Sequence, residues 1–437
     1  ARSGGGWMIT GVSLRSPDVA DQLNPQDGLY TLLSRGPGGV EARVIGSIGH
    51  VLVAPEEPEK VLDALTAPET KIVSLTITEK GYGLDPKTGG LDRTHSAAAA
   101  DLTDPRHPQG AIGFIVEALR RRNGAGLSGF TVLCCDNLPS NGKVTGRLVK
   151  EFAAEAVPDL LPFIKTSVSF PSTMVDRITP ASTEKTFADA RMLTGYDDPG
   201  AIETEPFSQW IIEDDFVAGR PDWGAGGALF VSDVAPYEKM KLRMLNGAHS
   251  MLAYSGFLAG HRYVRDVMGD PALAALVARH MKAAAATLDP VPGVDLGRYA
   301  ADLRERFRNP AIAHETYQIA MDGTQKLPQR LLEPAIVALE RGQAVDPFAF
   351  AVAAWMRYVL GRKEDGETYT LRDPRENEIA AVLEGVGNDA DAVADALLAL
   401  PGLFPAALTG SAIWTAAVRR NLSVMMKKRM RAAIEGA

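Results

Sequence analysis

Cysteine is almost absent from this chain: among 437 residues there are two, Cys134 and Cys135. Cysteines adjacent in sequence rarely pair with each other on geometric grounds, so a disulfide scaffold is excluded. No signal peptide is recognisable, and the two features together read as a reduced, cytoplasmic protein. Histidine is scarce as well, with seven residues and no HExxH or CxxC spacing in the chain. No metal site is therefore expected, and zinc-dependent chemistry is set aside. No run of 18 apolar residues is available to span a membrane. Positive charge is outnumbered, 46 Lys and Arg against 54 Asp and Glu, and the net charge of -8 argues against a nucleic-acid partner. What is present in ordinary amount is apolar content, 46% over a length sufficient for two or three domains with substantial cores.

The first half alternates short β-rich runs with helical stretches. Residues 7–14, 29–34, 41–48, 72–78 and 131–135 read as strands, several of them ending at Gly, Asp or Asn, with helices over 111–122 and 147–156. Such alternation predicts an α/β, Rossmann-type, doubly wound and mostly parallel sheet. Beyond about Asp233 the pattern becomes helix after helix, over 237–258, 271–287, 296–307, 327–340 and 347–360. The expected division is a dinucleotide-binding domain over 1–229 and a mostly α-helical substrate and catalytic domain over 230–437, with the boundary in the Gly/Asp-rich stretch 219–233. The basic run Lys427 to Arg431 reads as a solvated helix end.

One helix stands out chemically. Over residues 236–250, Met240, Leu242, Met244 and Leu245 fill much of the surface, which predicts a largely buried helix. At about 100° per residue, Lys241, Asn246 and His249 point at roughly 0°, 140° and 80°, on one face. Burial strips a lysine of hydration and favours its neutral form, which makes it a usable general base for a hydroxyl proton. Spacing alone favours the plainer reading, a core helix whose long polar side chains reach back to solvent.

The pattern Lys241-x4-Asn246-x2-His249 resembles the catalytic helix of the polyol-specific long-chain dehydrogenases, the mannitol dehydrogenase family, whose branches include mannitol 2-dehydrogenases and fructuronate reductases. Residues 168–180, around a Met174-Val175-Asp176-Arg177 core, are similar to a second signature of that family. So are residues 74–82, residues 135–139 with Asn141-Gly142, and residues 205–210, in the family's order. The resemblance implies metal-free, NAD-dependent interconversion of a secondary alcohol and a ketone in a soluble monomer or weak oligomer. It implies Lys241 as base, with Asn246 and Asn137 donating amide hydrogens to the substrate oxygen as charge develops. It further implies His249 bonding a neighbouring hydroxyl, Glu79 helping the proton to solvent, and Val175 and Asp176 lining the cofactor and substrate cleft. Asn137 reads equally as an Asx-turn residue, and Asp176 as the partner of Arg177 or of a backbone cap.

Cofactor choice rests on residues 11–18. An acidic residue after the second Rossmann strand accepts the adenosine ribose hydroxyls and repels a 2′-phosphate, so Asp18 favours NAD, while Arg15 just upstream suits NADP. The family's opening strand and Gly-x-Gly-x-Phe-x-Arg-Ala-His loop, which cradles a pyrophosphate at a helix N-terminus, do not occur in residues 1–437. The run Gly4-Gly5-Gly6 is no substitute, lacking a strand before it and a helix after it.

The substrate expectation turns on residues 318–330. Mannitol-type members carry an arginine eight residues before the motif lysine; here Gln318 precedes Lys326, and Arg330 follows. These features, with Arg243 and residues 355–358, look more like the fructuronate reductase branch. A hexuronate carboxylate needs a cationic partner, for which Lys326 and Arg330 are candidates; Arg243 reads equally as a surface residue. The expectation is D-fructuronate/D-mannonate, with a mannitol 2-dehydrogenase or related polyol dehydrogenase as the alternative. A catalytically silent sugar-acid or nucleotide-binding protein is the rival from another class, against which the retained Lys241, Asn246 and His249 count.

Overall fold

The computed structural model describes residues 6–85 and 88–437; Gly4 and Gly5 of the glycine run lie outside the described residues. The chain divides into two compact units, Ala1–Ala235 and Pro236–Ala437.

All ten strands among the described residues belong to the first unit: β1 (Ile9–Ser13), β2 (Tyr30–Gly36), β3 (Gly39–Ile45), β4 (Ile48–Val53), β5 (Ile72–Leu75), β6 (Thr131–Cys134), β7 (Thr173–Asp176), β8 (Ile202–Thr204), β9 (Gln209–Glu213) and β10 (Leu229–Val231). The pairs β1–β4, β2–β8, β5–β6 and β9–β10 are parallel, and β2–β3 and β7–β9 are antiparallel. The α/β, Rossmann-type reading holds, but the strands form four small sheets rather than one: β1–β4 and β5–β6 are parallel pairs, and β10–β9–β7 and β3–β2–β8 are mixed. Residues 41–48 are not one strand: Gly46 and Ser47 interrupt them, and β3 and β4 pair with different partners. The four short strands β7 to β10 were not expected, because three to five residues carry too little periodicity to register.

β6 is buried along its whole length, as a parallel strand covered on both faces requires. Helices Ala111–Gly124 and Asn141–Ala156 pack with it, placing Ile112, Ile115, Leu119, Leu148 and Phe152 in one core with Val132 and Cys134. A β-carbon at Gly142 would meet the Phe170 carbonyl at 2.4 Å, so only glycine lets the second helix start against that segment.

The second unit is helical around Asp346–Tyr358, in which every residue from Phe348 to Tyr358 is buried. A helix apolar on all sides belongs in a core. It packs against Gly247–Leu258 and the C-terminal helical segment Ala412–Gly436, which is kinked at Arg429. Residues 237–258 are not one regular α-helix. Ala235–Met240 is α-helical, Lys241–Asn246 forms a π-helical turn, and Gly247–Leu258 resumes the α-helix. Residues 327–340 behave likewise, with a π turn at Pro328–Leu332 between Gly323–Leu327 and Glu333–Glu340. Lys427, Lys428 and Arg431 are exposed near the chain end, and Arg431 pairs with Asp270 and Glu435.

Candidate functional site

The π turn changes the geometry expected of the Lys241 helix. Its signature is an i→i+5 bond, here from the Gly247 amide to the Leu242 carbonyl. A turn that closes every five residues brings positions 241 and 246 closer to one direction than α-helical spacing does. Lys241, Asn246 and His249 are 9%, 8% and 6% exposed, so the lysine does not reach back to solvent.

The cause of the second π turn is legible in its prolines. Pro328 has no amide to offer the carbonyl four residues earlier, and its ring crowds that carbonyl, which a wider turn relieves. Pro334 likewise leaves the Arg330 carbonyl without an amide four residues on. That carbonyl faces Gly247, where an added β-carbon would lie 2.8 Å from it and 3.1 Å from His280 Nε2. The Arg330 guanidinium donates to Ser250 Oγ at 3.3 Å and to the Asn246 carbonyl at 3.5 Å, beside the face that carries Lys241, Asn246 and His249.

His249 stacks on Phe307, ring centres 4.3 Å apart and planes 20° from parallel, and meets His314 edge-on at 5.5 Å. Its Nε2 is buried with no hydrogen-bond partner among the described residues, as is His314 Nδ1. Burial holds the His249 imidazole neutral, its pKa well below the ordinary histidine value, and His314, Arg330, Arg306 and Lys241 all act in the same sense. His314 is lowered to about 4 by burial, with Lys326 adding to it. A neutral imidazole can bond a hydroxyl, and the positive charges of Arg306 and Arg330 favour an anion nearby. Sequence reasoning missed Phe307, Arg306 and His314, which lie far from residue 249 along the chain and carry no spacing signal that links them to it.

Lys326 donates to the carbonyls of Ile319 and Met321, holding the loop before its helix. Gln318 is exposed on the short helix Thr316–Ile319. Arg243 is not at the surface, as its charge alone suggested: it is 8% exposed and donates to the Thr287 carbonyl at 2.7 Å. It thereby caps the C-terminal end of helix Pro271–Ala286, where cations and donors are favoured.

In the first unit the candidates sit at strand ends. Arg15 and Asp18 follow β1; both are exposed, and the Asp18 carboxylate, in the first turn of helix Asp18–Leu23, accepts from Ser16 Oγ at 2.8 Å. Glu79 and Asn137 follow the adjacent parallel strands β5 and β6 and are both exposed. Val175 and Asp176 end β7, the latter buried, opposite Trp210 and Gln209 of β9. Arg177 donates to the Glu205 carbonyl. Asn141 joins two of these segments: its amide nitrogen donates to the carbonyls of Asp136 and Thr173, each at 3.0 Å, and its oxygen accepts the Thr173 amide at 2.9 Å. The carboxyl ends of parallel strands are where open α/β sheets hold ligands. Among the described residues no three His, Cys, Asp or Glu side chains cluster as a metal site would require, and no helix is long and apolar enough to cross a membrane.

Comparison with known proteins places this architecture. The Mannitol dehydrogenase Rossmann domain matches residues 3–225, and the Mannitol dehydrogenase C-terminal domain matches residues 233–426. The chain is 45% identical over 418 residues to the D-mannonate oxidoreductase of Escherichia coli (strain K12), covering 94% of this chain and 85% of that protein. It is 44% identical over 405 residues to the uncharacterized oxidoreductase YeiQ of the same organism, covering 92% and 82%. Among solved structures, Pseudomonas fluorescens mannitol 2-dehydrogenase in a ternary complex with NAD and D-mannitol superposes with a TM-score of 0.89 at 38% identity, over 99% of this chain and 89% of that one. The two domain matches together span nearly the whole chain, and the protein belongs to the mannitol dehydrogenase family.

Proposed function

We propose that this oxidoreductase interconverts a sugar-acid ketone and its alcohol, D-fructuronate and D-mannonate, in an NAD-dependent reaction with Lys241 as general base. The observation that carries the substrate reading is the pair of guanidinium groups, Arg306 and Arg330, whose positive charge reaches the neutral His249. A neutral hexitol gains little from such a field, whereas a carboxylate gains charge-assisted hydrogen bonds. The 45% identity to a D-mannonate oxidoreductase supports the same choice.

In the oxidation direction, Lys241 Nζ takes the hydroxyl proton while the Asn246 amide donates to the oxygen, whose negative charge grows as the proton leaves. His249, neutral and with a buried nitrogen open to a donor, orients an adjacent hydroxyl. On the family resemblance, Asn137 is assigned the role of a second amide donor and Glu79 that of the exit of the proton. NAD, when bound, accepts the hydride. The residues fit it: the exposed Asp18 carboxylate after β1 is an acceptor for ribose hydroxyls, and Val175 and Asp176 end β7. Arg15 would add affinity for a 2′-phosphate. A cytoplasmic, monomeric or weakly associating enzyme completes the reading.

The deciding experiment follows NADH oxidation by the full-length enzyme with D-fructuronate and D-fructose at equal concentration. Preference for fructuronate is expected; preference for fructose would move the enzyme to the mannitol branch.

A further inference from the structure

The loop after β5 holds an unusual backbone. Thr78 has φ 63° and ψ 160°, a combination almost confined to glycine, and its β-branched side chain makes the cost higher still. Such a conformation persists only where surrounding bonds over-determine it. Here one side chain supplies them. The Asp136 carboxylate accepts the Ile77 amide at 2.9 Å and the Thr78 amide at 3.1 Å, one on each oxygen. The Tyr82 hydroxyl donates to the same carboxylate at 2.7 Å, closing the short helical turn Glu79–Tyr82 over it. Asp136 itself follows β6, and Asn137 comes next in the chain.

We infer that Asp136 is a positioning residue: its carboxylate locks the strained Thr78 and thereby sets Glu79 against Asn137 across the ends of β5 and β6. Tyr82 is the third support, its hydroxyl lying between Asp136 and the Cys134 thiol at 2.8 Å. A carboxylate is required because the Ile77 and Thr78 amides can only donate, one to each oxygen; an Asn side chain offers one acceptor oxygen and turns an N–H towards the other amide. The strain at Thr78 is thus held by the residue that precedes one candidate site group, and it aims the residue that follows at the other. The inference rests on the roles proposed for Glu79 and Asn137, but its structural half does not.

Two measurements separate the halves. In Asp136→Asn, amide hydrogen exchange over residues 76–82 should rise at least about tenfold at Ile77 and Thr78, with the rest of the protein unchanged. Unchanged protection there overturns the lock, whatever the enzyme's substrate. Kinetically, Asp136→Asn should lower kcat about tenfold or more with little change in KM, on whichever of D-fructuronate or D-fructose the enzyme reduces. Adding Glu79→Gln and Asn137→Ala should then cost little beyond what those two cost without it, because Asp136 acts through them. Full additivity overturns the positioning role while leaving the lock intact. Thr78→Gly in the Asp136→Asn background should recover at least about threefold of the lost kcat, since glycine adopts this backbone without strain. No recovery overturns the strain relation, and a merely destabilised loop predicts none.

Discussion

Gly247 and Arg330 meet backbone to backbone: a β-carbon at 247 would stand 2.8 Å from the Arg330 carbonyl oxygen. This approach joins the two π-helical turns of the second unit and sets the Arg330 guanidinium beside Asn246 and Ser250. Gly247→Ala forces the turns apart, because a backbone carbonyl cannot swing aside as a side chain does. The expected cost is about 1–3 kcal/mol of stability, with a fall in kcat as Asn246 shifts. Thermal denaturation and steady-state kinetics check it; an alanine variant with unchanged Tm and kcat would show the contact to be slack.

Lys241→Ala should lower turnover by about 10²–10⁴-fold, the range for loss of a positioned base. NADH binding, followed by fluorescence, should stay within twofold of the parent, roughly 0.4 kcal/mol. Normal turnover would place the base elsewhere.

Arg330 and Arg243 should separate cleanly. Arg330→Leu is expected to raise KM for D-fructuronate by about tenfold or more relative to D-fructose, since a hydrogen bond to a charged group contributes about 1.5–3 kcal/mol. Arg243→Leu removes the donor that caps helix Pro271–Ala286 and should lower Tm without altering the ratio of the two substrates. Equal loss of both substrates in Arg330→Leu would argue against carboxylate recognition.

His280 makes stability pH-dependent. Burial lowers its pKa to about 4, against an unfolded value near 6.5, so the unfolded chain binds a proton that the native state refuses between those limits. Its stabilising effect is complete above about pH 6.5 and drains away as pH falls towards 4. At most about 3 kcal/mol is at stake at this residue. In His280→Gln, the drop in Tm between pH 7.5 and pH 5 should shrink; an unaltered drop would assign the acid sensitivity to other groups, His249 and His314 first, which are lowered in the same direction.

The alternation of apolar runs and the long amphipathic or wholly apolar stretches determined much by themselves. Helix Leu296–Phe307 ends where its pattern ends, and the buried run within Asp346–Tyr358 declares a core helix. The burial of the Lys241 helix was equally legible, because Met240, Met244 and Leu245 leave few positions for solvent. Local chemistry did not reveal the π turns. The prolines behind the second turn, Pro328 and Pro334, stand in the sequence, but only the fold brings the Arg330 carbonyl they leave over against Gly247 beside the first. Nor could spacing along the chain bring Phe307 and His314 to His249, or Asp136 to the amides of Ile77 and Thr78. Hydrophobic period is a property of adjacent residues and survives in the sequence. A hydrogen bond spanning 59 residues, such as that from the Ile77 amide to Asp136, exists only once the strands that carry its ends have been laid side by side.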